Sequence, residues 1–123
     1  MKSTLQVAFA ISALVLASSF ANAGADIVSA PMSCAVKAPN GANYCLEIPT
    51  EKLNEEAIAG FTADCQKQAG AVFTRSACST TDRVGTCTVT VPEITYKVLF
   101  YPPFTVESGK QVCTENNGTF TNN

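Results

Sequence analysis

The chain contains no histidine. That absence removes Ser-His-Asp and Cys-His catalysis and any imidazole base. It also has no Cys-x-x-Cys pair, so thioredoxin-like spacing and the usual zinc spacings are missing. Gly-x-Ser-x-Gly, Ser-x-x-Lys, phosphate-cradling glycine loops and the EF-hand calcium loop do not occur in it. Charge is sparse, with eight Lys and Arg against ten Asp and Glu, the basic ones scattered singly. A nucleic-acid binder needs a basic stripe to displace phosphate counterions, and a membrane-surface binder needs a polybasic patch. Neither is present, and neither a metal site nor a cofactor is expected.

What is present begins with an export signal. Met1-Lys2 is a short positive start, Leu5 to Phe20 is an apolar run, and Ala21-Asn22-Ala23 is a small-x-small cleavage site. The run falls short of the roughly 20 residues of a spanning helix. We therefore expect residues 1–23 to be a signal peptide and residues 24–123 to be one mature domain, secreted or periplasmic, with no transmembrane span. The first cysteine, Cys34, lies too far downstream for lipidation at the cleavage point.

All six cysteines, Cys34, Cys45, Cys65, Cys78, Cys87 and Cys113, follow the signal peptide. An even count in a small exported domain predicts a disulfide framework. Each bridge contributes about 2–4 kcal/mol, chiefly by restricting the unfolded chain. Sequence leaves the connectivity open; pairing of near neighbours, Cys34–Cys45, Cys65–Cys78 and Cys87–Cys113, is the working expectation.

Periodicity then supplies the elements. Gly24 to Ala30 is a short lead, and Pro39-Asn40-Gly41 is a turn signal inside a looped or hairpin-like segment from Pro31 to Ile48. From Thr50 to Gln68, Leu53, Ala57, Ile58, Phe61 and Cys65 recur on one helical face. Thr50 or Asn54 is the expected cap, Glu55 and Glu56 suit the positive helix start, and Gly70 stops the chain before a strand at residues 71–74. Ser76 to Arg83 is a Ser/Thr-rich loop carrying Cys78. Val84 to Val91 alternates like a half-buried strand with Cys87 inward, Pro92-Glu93 turns, and Ile94 to Tyr101 returns until Pro102-Pro103 stops it. Thr105 caps a second helix through Cys113, weakened by about 1 kcal/mol at Gly109. Asn117-Gly118 ends it before a last short strand, residues 119–121. This order predicts an α+β domain, a small antiparallel sheet with two helices packed on one face, stapled by disulfides.

One internal echo stands out. Cys65, four residues, Gly70, then Phe73 is followed later by Cys113, four residues, Gly118, then Phe120. Together with Cys45-Leu-Glu47, Cys78, Arg83-Val-Gly-Thr-Cys87 and Phe100-Tyr101-Pro102, this pattern resembles an uncharacterised family of secreted and lipoprotein six-cysteine domains of predatory and environmental bacteria. The resemblance covers almost all of residues 24–123. It departs where that family has Cys-Pro, Gly-Gly and Trp; here Cys78-Ser79, Ala69-Gly70, Asn117-Gly118, Phe73 and Phe120 stand instead. It implies secretion and a shared fold, and no activity.

Candidate chemistry is thin. Glu55 and Glu56 are adjacent and point apart on a helix, as solvated helix-start charges do. Asp64 and Asp82 could meet in space, although such residues are more often caps or turn residues. Arg83 is a strand-end charge or an anion contact. Phe100, Tyr101 and Phe104, in the run Val98 to Phe104, are either core or an exposed aromatic patch for an extracellular or envelope protein or glycan. The sequon Asn117-Gly118-Thr119 is a chance match beside a bacterial-type leader. The expected function is a non-catalytic binding or structural module, one version being an enzyme inhibitor that presents the Ser76–Arg83 loop. The alternative is a small hydrolase using carboxylate, Ser, Thr or Lys chemistry.

Overall fold

The computed structural model describes residues 30–92 and 94–122. The expected signal peptide, its cleavage point and the lead up to Ser29 lie outside the described residues, as does Glu93 of the Pro92-Glu93 turn. The elements are β1 (Met32–Lys37), β2 (Asn43–Ile48), α1 (Glu55–Gln66), β3 (Ala71–Thr74), β4 (Gly85–Val91), β5 (Ile94–Phe100), α2 (Val106–Glu115) and β6 (Thr119–Asn122). They form a six-stranded sheet, ordered β3-β1-β2-β5-β4-β6, with every neighbouring pair antiparallel.

That order is two copies of one unit. Each copy is strand, strand, helix, strand, with the last strand returning beside the first. The copies meet where β2 pairs with β5, Leu46 opposite Val98 and Tyr44 opposite Phe100. One cross-sheet row states the relation: Phe73, Cys34, Leu46, Val98, Cys87, Phe120, one residue from each strand. The row is near-palindromic, so an approximate two-fold axis passes between Leu46 and Val98. The echo in the sequence is the C-terminal half of this repeat.

Side chains opposite one another in a ladder share a face. Cys34 and Cys87 therefore point to the same side, and each bridges to a helix, Cys34–Cys65 to α1 and Cys87–Cys113 to α2. Both helices accordingly lie on one face, as the helix and strand periodicities predict. Asn54 is the cap of α1, its Oδ1 accepting from the Ala57 N–H at 2.9 Å. Thr50 instead donates its hydroxyl to the Ala30 carbonyl at 2.8 Å. Thr105 and Ser108 cap α2 reciprocally, at 3.0 and 2.9 Å. Between sheet and helices lies the main core, including Met32, Val36, Tyr44, Leu46, Ile48, Phe61, Val89, Tyr96, Val98, Phe100, Phe104 and Val112.

Two of the three expected sulfur pairings are corrected. Cys34 bonds Cys65, Cys45 bonds Cys78, and only Cys87–Cys113 is as expected. The reason is strand alternation. Cys34 stands opposite Leu46, and Cys45 stands opposite Ala35, so the two cysteines of this hairpin point to opposite faces of the sheet.

Candidate functional site

The face away from the helices is built differently. Two rows cross it. One runs Val72, Ala35, Cys45, Leu99, Thr86, Thr121, and the other Thr74, Ser33, Glu47, Lys97, Thr88, Thr119. Thr90 and Thr95 continue the hydroxyl surface and lie 3.3 Å apart through their oxygens. Ser33 and Thr74 do the same at 3.0 Å.

Among the described residues, only irregular chain covers this face. β3 is at one edge and β4 lies near the other, so residues 75–84 must cross the sheet to connect them. This strap is tied down over the centre. The Cys45–Cys78 disulfide anchors it, with a Cα–Cα distance of 6.0 Å. The Cys78 N–H donates to Glu47 Oε1 at 3.0 Å, and the Tyr101 hydroxyl donates to the Ser79 carbonyl at 2.6 Å. The Val84 N–H donates to the Phe100 carbonyl at 2.7 Å. Under the strap, Cys45, Cys78 and Leu99 form a second small apolar cluster with Tyr101 at its margin. Burial, then the negative charge of Glu47, raises the Tyr101 pKa, and the nearby Arg83 guanidinium lowers it in part. The phenol therefore stays protonated and able to donate across the neutral range.

The exposed tip is a closed turn. The Thr81 N–H donates to Ser79 Oγ at 3.1 Å, the Arg83 N–H to the Thr80 carbonyl at 3.4 Å, and Asp82 sits at φ 63°. Because the Ser79 and Thr80 carbonyls are bonded internally, the tip is not an extended segment free to pair with an enzyme cleft. This counts against the inhibitor version of the binding reading.

Beyond the strap, a shallow groove of about 270 Å³ is lined by Pro31, Glu47, Pro49, Glu51, Thr95 and Lys97. A second hollow of about 430 Å³ shares Pro49, Glu51 and Thr95 with it and adds Lys52, Thr90 and Ile94. The surface here is proline-walled, with both signs of charge.

The residues singled out by sequence are placed as follows. Phe100 and Phe104 are buried and pack edge-on at 4.8 Å, with Phe120 6.3 Å from Phe100. Tyr101 is half-buried under the strap. The three do not form an exposed patch, because the strand alternates Phe100 into the helix side and Tyr101 toward the strap. Glu55 and Glu56 are exposed on the first turn of α1. Asp64 lies on α1 beside Lys67 at 3.7 Å, whereas Asp82 is on the strap, across the sheet; they do not converge. Glu47 was not singled out for a role, although Cys45-Leu-Glu47 carried the signal. Spacing of two on a strand puts Glu47 on the same face as Cys45, within reach of whatever Cys45 holds. Among the described residues no group of three or more His, Cys, Asp or Glu is arranged to hold a metal ion, and no helix is long and apolar enough to cross a membrane. Compared with known proteins, the chain is matched by no family model, no curated protein and no solved structure.

Proposed function

We propose that this is an exported, non-catalytic binding module that meets its partner, an envelope or extracellular protein or glycan, through the strapped face of the sheet. The leader, cleaved after Ala23, delivers it to a compartment where three disulfides form and persist. The resemblance to secreted six-cysteine domains agrees with that destination.

One observation carries the reading. On the helix side the central positions of the two copies carry the same or a similar residue: Cys34 and Cys87, Tyr44 and Tyr96, Leu46 and Val98, Phe73 and Phe120. On the other side the same relation sets Cys45 against Lys97 and Glu47 against Leu99. Packing around the two helix bridges keeps this central row alike, although Gly85 and Phe100 stand in the second copy where Met32 and Ile48 stand in the first. An asymmetric partner imposes no such symmetry, and the middle of the open face has none, while its margins keep Thr74 matched with Thr121 and Ser33 with Thr86.

The test compares faces. Thr88→Arg and Val72→Asp alter the open face, while Glu56→Arg and Lys110→Glu alter the helices' outer surface. Immobilised variants are challenged with the envelope and exported fraction of the source cell. Loss of retained material for the open-face pair alone supports the proposal. Equal retention by all variants, or none by the parent, overturns it. The hydrolase alternative has one observation in its favour, Glu47 and Glu51 lining one groove beside Lys97. It requires turnover that Glu51→Gln abolishes.

A further inference from the structure

The three disulfides stand in unlike places. Cys34–Cys65 and Cys87–Cys113 occupy equivalent positions, each pinning a helix to the first strand of its copy. Their four cysteines are 0–2% exposed. Gly118 presses on the second bridge so closely that a Cβ there would run into both sulfurs. Cys45–Cys78 has no counterpart under the two-fold relation and holds an irregular segment in place of a helix. Its cysteines are the least enclosed, at 3% for Cys45 and 6% for Cys78. It is also separate from the main core, its buried apolar company among the described residues being Leu99.

What it hides is specific. The row beneath the strap runs Leu99, Cys45, Ala35, Val72 across four adjacent strands. Ala35 and Val72 already face solvent, Val72 at 61% exposure, whereas Leu99 is 3% exposed. The strap thus interrupts an apolar strip whose outer half is open.

We infer that Cys45–Cys78 is a thiol-operated catch. Its reduction frees the strap from the sheet and completes the apolar strip, while the two core bridges and both helices stay in place. The chemistry needs an external dithiol reductant. One reagent thiolate attacks Sγ of Cys78, the more exposed of the two residues; the Cys45–Cys78 bond breaks, a reagent–Cys78 bond forms, and Cys45 leaves as a thiolate that takes up a proton. The second reagent thiolate then attacks the reagent's own bound sulfur and expels Cys78. The reagent ends as a cyclic disulfide, oxidised by two electrons, and the catch is reduced by two. The consequence for partner binding rests on the function proposed above; the opening itself does not.

The experiment titrates the purified native protein with dithiothreitol, alkylates free thiols, maps them by peptide mass, and follows amide exchange and circular dichroism in parallel. We expect Cys45 and Cys78 to be labelled at a reductant dose at least about tenfold below that needed for the other four. In the same step the Cys78 and Arg83 amides lose protection with no loss of helical signal. In Cys45→Ala/Cys78→Ala the strap amides exchange fast without reductant. Opening of either core bridge at an equal or lower dose overturns the inference. So does release of all six thiols in one cooperative step, or a double variant that fails to fold or keeps its strap protected. Opening without any partner retention removes only the proposed function, and retention without opening removes only the catch.

Discussion

The two copies solve one packing problem with different side chains. In the first, Met32 stands opposite Ile48, and Phe61 of α1 meets Phe73 edge-on at 6.1 Å. In the second, Gly85 stands opposite Phe100, and α2 carries Gly109 where α1 carries Phe61, counting back from the bridged cysteine. A Cβ on Gly109 would lie 3.2 Å from the Phe100 ring and 3.3 Å from that of Phe120. A Cβ on Gly85 would collide with the Phe120 ring. Bulk supplied by α1 and β1 in the first copy is supplied by β5 in the second. Interiors are packed to crystal-like density, so the sum of volumes is constrained while its distribution among elements is free.

The largest expected effect tests that exchange directly. Phe61→Ala removes the helix's own contribution and should cost about 3–5 kcal/mol in urea unfolding. A cost under about 1 kcal/mol would mean that α1 does not rely on this ring. Next, Cys34→Ala/Cys65→Ala and Cys87→Ala/Cys113→Ala should each cost about 2–5 kcal/mol. The two values should be similar, because the bridged separations, 31 and 26 residues, impose nearly equal closure entropy. A large disparity between them would show that the copies are not equivalent in energy.

A double-mutant cycle sharpens the comparison further. Gly109→Ala alone should destabilise, since its methyl meets Phe100, while Phe100→Ile alone leaves a void. Combined, they should recover about 0.5–3 kcal/mol relative to the sum, measured by chemical denaturation. Strict additivity would break the claim of exchanged volume. The smallest effect concerns pH. Tyr44 and Tyr96, equivalent in the two copies, both have pKa values raised by burial. A phenol whose folded pKa exceeds its unfolded value of about 10 adds stability that is complete below that pH. It is lost as pH climbs through the folded value. Tyr44→Phe and Tyr96→Phe should therefore flatten the alkaline fall in unfolding free energy to a similar degree. A fall unchanged in both variants would assign it to other groups.

Much of this architecture is legible in the sequence. The apolar face from Leu53 to Cys65, the alternation from Val84 to Val91 and the caps at Asn54 and Thr105 are local properties, and each element formed near its predicted position. The repeat was half visible, because Cys, Gly and Phe sit where geometry tolerates few substitutes. Its strand halves were not, since Met32 opposite Ile48 and Gly85 opposite Phe100 share no residue type. The candidate face was less legible still: the predicted aromatic patch went into the core and under the strap, and Glu47 became an anchor.

By itself, the sequence determined which residues share a face of each helix or strand, where along the chain the two helices lie, and that six sulfurs would be available for crosslinking. Only the tertiary structure decided that β2 pairs with β5, that Cys45 reaches Cys78, and that one face of the sheet is left to a strap. The division has a physical cause. Periodicity follows from backbone geometry within a few residues, whereas the choice of neighbours is made by packing among segments far apart in the chain, and no short window of sequence contains it.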